Sequence, residues 1–373
     1  MLGSLEGFVV AVTADRRAAE QTELLERRGA KVLHGPCIRT LALSEEDVTR
    51  SATEALLAHP PDYLVANTGI GIRGWLGGAA AWGCDDELVA MLRNTRILAR
   101  GPKAAGAVTA AGAAVWWTAP SEQLDEVVER LLAEPLAGRR VAFQHHGDDR
   151  QDVTAALRAV GADVVEVRVY RWTRPEDTAP ARALVTAVAN RRVDAVTFTA
   201  SPAVDNFLEM AAEEGLAARV REALAGPVIP VCVGPVCAGT ARRAGLRTSV
   251  APQKGRLGTM LRVLVEELAE RRVTLSTEAG ELVLQGHAVA ADDHTALLTD
   301  KERSLLEALI ERPGAVVARD RLWAAGWAGP LDDRALEVTV GHLRRKLGPA
   351  GSALHAVVKR GYLLDLTAVP ATT

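Results

Sequence analysis

Four side chains near the C-terminus have the types and spacing to contact phosphates and base edges together. They recur three or four residues apart and are Arg334, Val338, His342 and Arg345. This spacing places them on one face of an α-helix. Arg344 and Lys346 flank that face, and residues 338–364 contain neither Asp nor Glu. A helix face of this kind suits a surface on which cationic groups meet phosphates while the helix reads base edges.

The elements that would position these side chains follow from the apolar pattern. Leu336, Val340, Leu343 and Leu347 recur at offsets 0, 4, 7 and 11, which predicts the buried stripe of one amphipathic helix. Gly348-Pro349 ends this helix, and residues 355–364 predict two short strands that turn near Lys359-Arg360-Gly361. Upstream, a helix is predicted from Leu298 to Pro313 and a shorter one around residues 320–323. The order is therefore helix, helix, longer basic helix, hairpin.

This order resembles the winged-helix DNA-binding domains of response regulators of the OmpR and PhoB type. The similar blocks are Leu298-Thr-Asp-Lys-Glu302, Val316-Val-Ala-Arg-Asp-Arg-Leu-Trp323, Asp333-Arg334, Val338, His342-Leu-Arg-Arg-Lys-Leu-Gly348 and Lys359-Arg-Gly-Tyr-Leu363. The resemblance covers about residues 273–366. It implies double-stranded DNA as a partner, and RNA polymerase or another regulator as a further one.

We expect the basic side chains of this region to divide the DNA contacts between them. Arg334, His342 and Arg345 are expected to read bases or contact phosphates. Arg344, Lys346, Lys359 and Arg360 are expected on the DNA backbone. Residues 273–373 carry 11 Lys and Arg against 13 Asp and Glu, so the positive charge is local. The alternative is an ordinary solvated helix face, whereas phosphate binding depends on how the positive charge is clustered.

The composition of the whole chain limits the remaining possibilities. Its 373 residues, 48% hydrophobic and with a net charge of −3, predict two or three globular domains. No stretch reaches membrane-spanning length, and the first 19 residues lack a basic start before their apolar run. We therefore expect a cytoplasmic protein without a membrane partner. The four cysteines are scattered, which favours reduced structural cysteines over a disulfide set or a zinc site.

The first 270 residues contain an internal duplication. Similar segments occur at Gly29 and Gly161, at Asp62 and Asp194, and at Gly101 and Gly234. The offsets are 161 − 29 = 132, 194 − 62 = 132 and 234 − 101 = 133. Each copy alternates apolar strands with helices, which is typical of a parallel sheet covered on both faces. The sequence therefore predicts two copies of one α/β unit.

Ligands of such sheets bind beyond the C-terminal ends of the strands, where helix N-termini offer free N–H groups. The candidate turns are residues 67–71, 101–103, 199–202 and 234–236. Two copies that face one another would place these turns around a shared cleft suited to a polyanion. Every doubly wound sheet has such turns, so the alternative is that they bind nothing.

The two-copy layout resembles uroporphyrinogen-III synthase. The similar segments are Val196-Thr-Phe-Thr-Ala-Ser-Pro-Ala-Val204, Val231-Cys-Val-Gly-Pro-Val236, Gly161-Ala-Asp-Val-Val-Glu-Val-Arg-Val-Tyr170 and Asp62-Tyr-Leu-Val65. That enzyme cyclises hydroxymethylbilane while inverting its last ring, and it uses no cofactor. The resemblance implies one α/β domain from residues 2–39 and 172–271, and a second from residues 40–171 inserted in it. A winged-helix domain at residues 273–366 would complete the chain.

The resemblance also implies site residues. Tyr170 would assist loss of the substrate hydroxyl. The ligand-binding residues would be Thr68, Gly101, Lys103, His145, Thr199, Ser201, Gly234 and Cys237. Three segments depart from the family pattern. Where the family usually has Thr-Ser-x-Asn-Gly, this chain has Asn67-Thr-Gly-Ile-Gly71, and where the family has Pro-Arg-Gly, it has Gln144-His145-His146. Cys237 takes the place of a threonine. These departures remove polar and cationic groups, so we expect binding of a tetrapyrrole or other polycarboxylate rather than full synthase activity.

The signal is expected to be a small molecule. A receiver domain would end a strand in a phosphorylated aspartate, but the comparable strand here ends Val65-Ala-Asn67. Fusions of this layout resemble bacterial regulators of nitrate and nitrite assimilation. We therefore predict a transcription regulator with a synthase-like sensor, and the alternative is an active synthase whose tail localises or regulates it. Joints between the domains are expected at residues 253–258 and 276–280.

Overall fold

The computed structural model describes residues 2–42, 47–145 and 151–366. Two compact units make up the chain. The larger unit combines Met1–Ile38 with Arg174–Thr373, and the inserted unit is Arg39–Thr173. Among the described residues, no helix is both long enough and apolar enough to cross a membrane.

The elements follow one another along the chain in three groups. The start of the larger unit holds β1 (Val9–Val12), α1 (Ala18–Glu26) and β2 (Lys31–His34). The inserted unit holds β3 (Arg39–Ala42), α2 (Asp47–Ala58), β4 (Tyr63–Ala66), α3 (Gly69–Trp82), α4 (Asp85–Arg93), β5 (Arg96–Ala99), α5 (Pro102–Ala110), β6 (Val115–Thr118), α6 (Leu124–Leu132), β7 (Arg140–Gln144), α7 (Gln151–Ala159), β8 (Asp163–Val167) and β9 (Tyr170–Thr173). The α/β part of the larger unit then continues with α8 (Ala179–Ala189), β10 (Ala195–Phe198), α9 (Ser201–Glu213), α10 (Ala217–Ala225), β11 (Ile229–Cys232), α11 (Pro235–Arg243) and α12 (Leu257–Ala269).

The parallel sheets of the two units have the same strand order. The larger unit contains β11-β10-β1-β2, and the inserted unit contains β6-β5-β4-β7-β8. Under the offset of 132 or 133 residues, β5, β4, β7 and β8 correspond to β11, β10, β1 and β2. The structure therefore confirms the predicted duplication of a parallel α/β unit. The four-stranded sheet takes two strands from each copy, and the five-stranded sheet takes three from the first copy and two from the second. The chain leaves and re-enters the larger unit through the antiparallel pair β3 and β9.

The central strands of both parallel sheets are buried on both faces. All four residues of β1, β4, β10 and β11 are buried. In the larger unit, Val10, Val12 and Ile229 pack with Met260 and Leu264 of α12 in one core cluster. Because both faces of these strands are covered by other elements, successive residues are apolar, which explains the near-continuous apolar runs in the sequence.

The last part of the larger unit is a winged-helix domain. It consists of β12 (Val273–Thr277), β13 (Gly280–Gln285), β14 (Ala288–Ala291), β15 (His294–Leu297), α13 (Asp300–Ile310), β16 (Val317–Ala318), α14 (Arg319–Gly326), α15 (Asp333–Lys346), a 3-10 helix (Gly348–Ala353), β17 (Leu354–Val357) and β18 (Gly361–Leu364). The strands β12 to β15 form an antiparallel sheet in chain order, and β18 lies between β16 and β17. The predicted helices and hairpin are confirmed. The sheet formed by β12 to β15 was not predicted.

Capping and burial explain where the helices of this domain lie. Thr299 and Glu302 form a reciprocal capping box at the start of α13. Asp332 caps α15 by accepting hydrogen bonds from the backbone N–H groups of Arg334 and Ala335, at 3.0 and 3.1 Å. The predicted apolar stripe of α15 is buried in the core of the domain; it consists of Leu336, Val340, Leu343 and Leu347.

Of the expected joints, residues 253–256 precede α12 and Gly258 lies inside it, whereas residues 276–280 comprise the end of β12, a turn and the first residue of β13. The connection from α12 to β12 is instead residues 270–272. Arg271 in this connection donates hydrogen bonds of 3.0 Å to the carbonyl oxygens of Gly226 and Pro227. The connection is thus three residues long and is held at its centre by these two hydrogen bonds.

Candidate functional site

The predicted basic face of α15 is present and exposed. Arg334, His342 and Arg345 are exposed, and Val338 between them is 51% exposed. The opposite side of the helix is the buried stripe, so the four side chains share one outward-facing surface. We call this surface the α15 face.

An arginine outside α15 neutralises the two carboxylates on the first half of that helix. The Nε atom of Arg319, at the start of α14, lies 2.7 Å from Oδ1 of Asp333. Its Nη2 atom makes a short contact with the carboxylate of Glu337, and this hydrogen bond raises the pKa of Arg319. Asp333 and Glu337 would otherwise repel phosphates, so Arg319 makes the start of the helix more favourable for an anionic partner. Sequence reasoning did not assign Arg319 this role.

Two basic side chains at the end of α15 have partners within the domain. The Nζ atom of Lys346 lies 2.7 Å from Oε2 of Glu302 in α13. Nε and Nη2 of Arg344 donate to the carbonyl oxygen of Leu354 in β17, at 3.1 and 2.6 Å. Lys346 therefore joins two helices, and Arg344 joins α15 to the hairpin. Both side chains therefore have partners within the domain, which argues against their predicted contacts with the DNA backbone.

The turn between β17 and β18 carries the other two predicted basic residues. Lys359 and Arg360 are exposed, and Val358 beside them is 84% exposed. Lys359 adopts a left-handed backbone conformation with φ of 57°, and the N–H of Arg360 bonds the carbonyl of Val357 at 3.0 Å. The turn thus projects two cations and one apolar side chain from the domain that carries the α15 face.

In the inserted unit, Thr68 and Tyr170 lie together. Thr68 caps α3 by accepting a hydrogen bond from the N–H of Gly71 at 3.0 Å. The hydroxyl of Tyr170, the first residue of β9, lies 3.3 Å from the Thr68 hydroxyl. Tyr170 is buried, and its ring packs edge-on against Trp172 at 6.0 Å. The residue predicted to be catalytic therefore adjoins one of the predicted ligand-binding turns.

A second helix N-terminus meets the first one here. Gly101 precedes Pro102 and Lys103 in the first turn of α5. A Cβ atom on Gly69, in the first turn of α3, would lie 2.2 Å from the carbonyl oxygen of Lys103. The first turns of α3 and α5 are therefore in direct backbone contact. Two helix N-termini this close combine their free N–H groups and the positive ends of their dipoles.

Gln144, the last residue of β7, and His145 after it are buried beside the start of α3. Oε1 of Gln144 accepts hydrogen bonds from the backbone N–H groups of Asn67 and Thr68, at 3.1 and 3.0 Å. His145 is buried, and its Nε2 lies 3.0 Å from Oε2 of Glu166. Burial alone would raise the pKa of Glu166, but hydrogen bonds from Arg168 and Arg158 lower it to about 2. His146 lies outside the described residues.

Two residues of this region were missed by sequence reasoning. Asn67 follows β4 and is 1% exposed, and among the described residues its side-chain amide has no hydrogen-bond partner. Arg100 follows the neighbouring β5 and is half-buried, and its N–H bonds the carbonyl of Ala66 at 3.0 Å. Burial lowers the pKa of Arg100, while the nearby Tyr170 and Glu122 offset part of this shift. A basic residue directly before a Gly-Pro helix start was the available signal.

In the larger unit, three of the four predicted ligand-binding residues lie at helix starts. Thr199 and Ser201 are half-buried where β10 leads into α9, and Gly234 precedes α11. Cys237 is buried, and its Sγ donates to the carbonyl oxygen of Phe198 at 3.6 Å. A hydrogen bond with Cys232 and burial both raise the pKa of the Cys237 thiol. Cys237 is therefore a neutral core residue, and we leave it out of the ligand site proposed below.

The fold and these surfaces define a class of protein that joins a duplicated parallel α/β region to a winged-helix domain of the DNA-binding type. Residues 19–262 match the family model for uroporphyrinogen-III synthase HemD. Residues 293–364 match the model for the C-terminal domain of transcriptional regulatory proteins. The chain belongs to the uroporphyrinogen-III synthase HemD family and carries a transcription-regulator domain of the OmpR and PhoB type at its C-terminus.

Individual relatives also match either the synthase-like region or the winged-helix domain. The uncharacterized protein YjjA of Bacillus subtilis is 26% identical over 267 residues, which are 72% of this chain and 98% of YjjA. The response regulator protein PmrA of Pseudomonas aeruginosa is 38% identical over 90 residues, which are 23% of this chain and 40% of PmrA. A crystal structure of a mutant uroporphyrinogen-III synthase from Thermus thermophilus superposes with a TM-score of 0.58 and 28% identity, covering 70% of this chain and 99% of that protein. The fusion of the two domains supports a transcription regulator.

Proposed function

We propose that this chain is a transcription regulator that binds double-stranded DNA and whose synthase-like region senses a small polycarboxylate. The observation that carries this proposal is the exposed α15 face together with the pairing of Asp333 and Glu337 to Arg319. A chain with a net charge of −3 needs such a local separation of charge to bind a polyanion. We also propose that the protein acts in the cytoplasm.

In this proposal the α15 face enters the major groove. Arg334, His342 and Arg345 contact base edges or phosphates, and Val338 offers an apolar contact of the kind that thymine methyl groups accept. Lys359 and Arg360 contact the DNA backbone from the turn between β17 and β18. Such a division between base reading and backbone positioning is general in DNA recognition.

A salt-controlled shift assay tests the DNA-binding part. Replacing Arg345 with alanine should weaken binding to a bound genomic fragment at constant salt. Arg262 in α12 provides the matched control, because it is an exposed arginine in an ion pair with Glu266 and lies outside the winged-helix domain. Equal affinities of the wild type and the Arg345→Ala variant would remove Arg345 from the interface. Failure of all fragments to bind would refute the DNA-binding proposal.

For the ligand, we propose a tetrapyrrole or another polycarboxylate. In the inserted unit, Thr68, Gly101 and Lys103 would bind carboxylate oxygens at the adjoining starts of α3 and α5. Arg100 supplies a cation there, and the buried amide of Asn67 offers a donor and an acceptor that have no partner among the described residues. For the larger unit taken by itself, we propose that Thr199, Ser201 and Gly234 bind carboxylates at the starts of α9 and α11.

Titration calorimetry with uroporphyrinogen III tests this assignment. Replacing Arg100 with glutamine removes the charge and keeps polar atoms, so binding should weaken. Arg96 is a suitable control, because it lies at the opposite end of β5 and is exposed. Wild-type protein that binds no uroporphyrinogen III would refute a tetrapyrrole as ligand. Equal affinity for the Arg100→Gln variant would remove Arg100 from the site.

We further propose that the target genes belong to nitrate and nitrite assimilation, and that RNA polymerase or another regulator is a partner at those promoters. This part of the proposal is supported by the resemblance of the domain fusion to regulators of that pathway. Genome-wide mapping of bound DNA in cells grown with nitrate or with ammonium tests it. Binding sites confined to unrelated genes would refute it.

The second candidate function is synthase activity, which the pairing of Tyr170 with Thr68 favours. A buried phenol whose hydroxyl lies 3.3 Å from a helix-capping hydroxyl is placed to donate a proton to a leaving hydroxyl. Conversion of hydroxymethylbilane to the type III isomer measures this activity directly. Turnover that the Tyr170→Phe variant loses would support the synthase, and only spontaneous cyclisation by the wild type would refute it.

A further inference from the structure

Among the described residues, the winged-helix domain contacts the α/β part of the larger unit in two regions besides the chain connection. They are the turn between β13 and β14 and the first turns of α13, where Nε of Arg192 also lies 3.6 Å from Oδ2 of Asp300. In the first region, the turn between β13 and β14 packs against the segment before β1. The N–H of His287 donates to the carbonyl oxygen of Gly7 at 2.7 Å. The side-chain amide of Gln285 donates to the carbonyl oxygens of Gly3 and Glu6, at 2.8 and 2.9 Å. Gln285 is buried, so this contact excludes water.

The two backbones at this point approach so closely that glycine is required on both sides. Gly7 has φ of 83° and Gly286 has φ of 57°, both in the left-handed region. A Cβ atom on Gly7 would lie 2.3 Å from the backbone nitrogen of Ala288. A Cβ atom on Gly286 would lie 2.5 Å from the carbonyl oxygen of Gly7. Both the segment before β1 and the turn between β13 and β14 therefore need glycine at this contact.

The second region contains an ion pair with a buried carboxylate and a partly exposed arginine. Nη1 of Arg303, in α13, lies 2.7 Å from Oδ1 of Asp194, and the side chains are 20% and 6% exposed. The other carboxylate oxygen of Asp194 accepts a hydrogen bond of 2.8 Å from the N–H of Val9. Asp194 directly precedes β10, and Val9 is the first residue of β1. Arg303 is therefore bound to the starts of the two central strands of the sheet.

The residue next to Arg303 contacts the helix that carries the proposed DNA-binding face. Glu302 forms the ion pair with Lys346 at the end of α15, and the Glu302 side chain is 4% exposed. Consecutive residues of α13 thus connect to the sheet on one side and to α15 on the other. The carboxylates of both pairs are buried, so removing either cation leaves a buried carboxylate without its ion-pair partner.

We propose that this series of contacts, from Val9 and Asp194 through Arg303 and Glu302 to Lys346, couples the sheet of the larger unit to α15. Strands and helices are rigid elements, and a buried ion pair fixes the geometry between them. The far end of β10 leads to Thr199 and Ser201, which belong to the proposed ligand site. A shift of β10 on ligand binding would then move α13 and change how α15 meets DNA. The inference rests on the proposed function, since it needs DNA to bind at α15.

Reciprocity of coupling allows a test without the natural ligand. Amide hydrogen exchange is measured by mass spectrometry on the full chain, with and without a short random-sequence DNA duplex at low salt. In the wild type, DNA should slow exchange in α15 and also in β1 and β10, the latter by about fivefold or more. In the Arg303→Gln variant, DNA should still slow exchange in α15 but no longer in β1 and β10.

Two further variants complete the design. Asp194→Asn removes the charge but keeps an oxygen for the N–H of Val9, and it should uncouple the sheet as Arg303→Gln does. Arg262→Gln, at the exposed pair on α12, should behave as the wild type. If DNA still slows amide exchange in β1 and β10 in both the Arg303→Gln and the Asp194→Asn variants, the proposed coupling is overturned. Slowing confined to α15 in the wild type also overturns it and leaves the DNA-binding proposal standing, whereas no slowing in α15 refutes both.

Discussion

Two neighbouring basic residues at the end of α15 should give opposite results when each is replaced by alanine. Arg345 is exposed on the α15 face, and Lys346 is bound to the buried carboxylate of Glu302 at 2.7 Å. We expect the Arg345→Ala variant to lose DNA affinity and keep its stability. The Lys346→Ala variant should lose stability.

The size of the stability loss follows from the surroundings of Glu302. Removing one member of a buried ion pair costs about 3–5 kcal/mol. Here Glu302 retains a hydrogen bond of 2.7 Å from the N–H of Thr299, and Lys346 is 28% exposed. These two facts reduce the expected loss to about 2–3 kcal/mol. For a cooperative unit of the size of the larger unit, 238 residues, this corresponds to a Tm lower by about 4–12 °C.

The expected loss of DNA affinity is of similar energy but appears in a different measurement. A bidentate contact between arginine and guanine contributes about 1–3 kcal/mol, which is a loss of about 5- to 150-fold in affinity. Exposed substitutions away from buried contacts usually change stability by less than about 0.5 kcal/mol. The Tm of the Arg345→Ala variant should therefore stay within about 2 °C of the wild type.

Thermal unfolding by calorimetry and a shift assay at fixed salt measure the two effects on the same samples. Arg262→Ala serves as the control for both, because its ion pair on α12 is exposed. A Lys346→Ala variant that binds DNA weakly but unfolds at the wild-type temperature would refute the structural role of Lys346. It would also restore the expectation from the sequence that Lys346 lies on the DNA backbone.

Three further outcomes are expected. The Arg319→Ala variant should bind DNA more weakly than the wild type in a shift assay, because the two carboxylates of α15 lose their partner; unchanged binding would mean that they do not face the phosphates. The Gly286→Ala variant should be destabilised by more than about 1 kcal/mol in a denaturant melt, because alanine strains the left-handed turn and meets the backbone of Gly7; the Gly77→Ala variant, which meets nothing within 4 Å, is its control. The folded-state pKa of Glu166 is about 2, below its ordinary value of 4.5, so Glu166 stabilises the fold above pH 4.5 and loses this contribution as the pH falls toward 2. The Glu166→Gln variant should therefore have a lower Tm than the wild type at pH 7, and the difference should shrink between pH 4.5 and pH 2; a constant difference would contradict this reasoning.

Local patterns in the sequence were sufficient for much of the fold. The four leucines and valines of α15 repeat with the helical period, and all four are buried. The capping box at Thr299 and the strand-turn-helix units of the two copies also depend on neighbouring residues. Interactions between residues close in the chain are encoded by spacing, so these elements could be predicted.

Contacts between distant residues explain what was missed. Spacing places Lys346 on the flank of a basic face, but its partner Glu302 lies 44 residues away. The roles of Arg319 and Arg344 likewise depend on how α14 and β17 pack against α15. For the ligand site, Arg100 and Asn67 become neighbours only because β4 and β5 pair in the sheet. A comparison of motifs along the chain cannot show that Arg100, the cation of the proposed site, follows β5, two strands away from β7, where Gln144-His145-His146 replaces the basic turn of the family pattern.

The exchange of strands between the two copies has a consequence for synthesis of the chain. The inserted unit has all its strands once residue 173 has emerged, whereas β1 must wait for its second neighbour, β10, which ends at residue 198. The first two strands made can pair with each other at once, but their sheet is completed only after β11 has been made. A nascent chain would therefore carry an already folded insert while the sheet of the larger unit is still incomplete, and a chain cut between the two copies would leave both sheets incomplete.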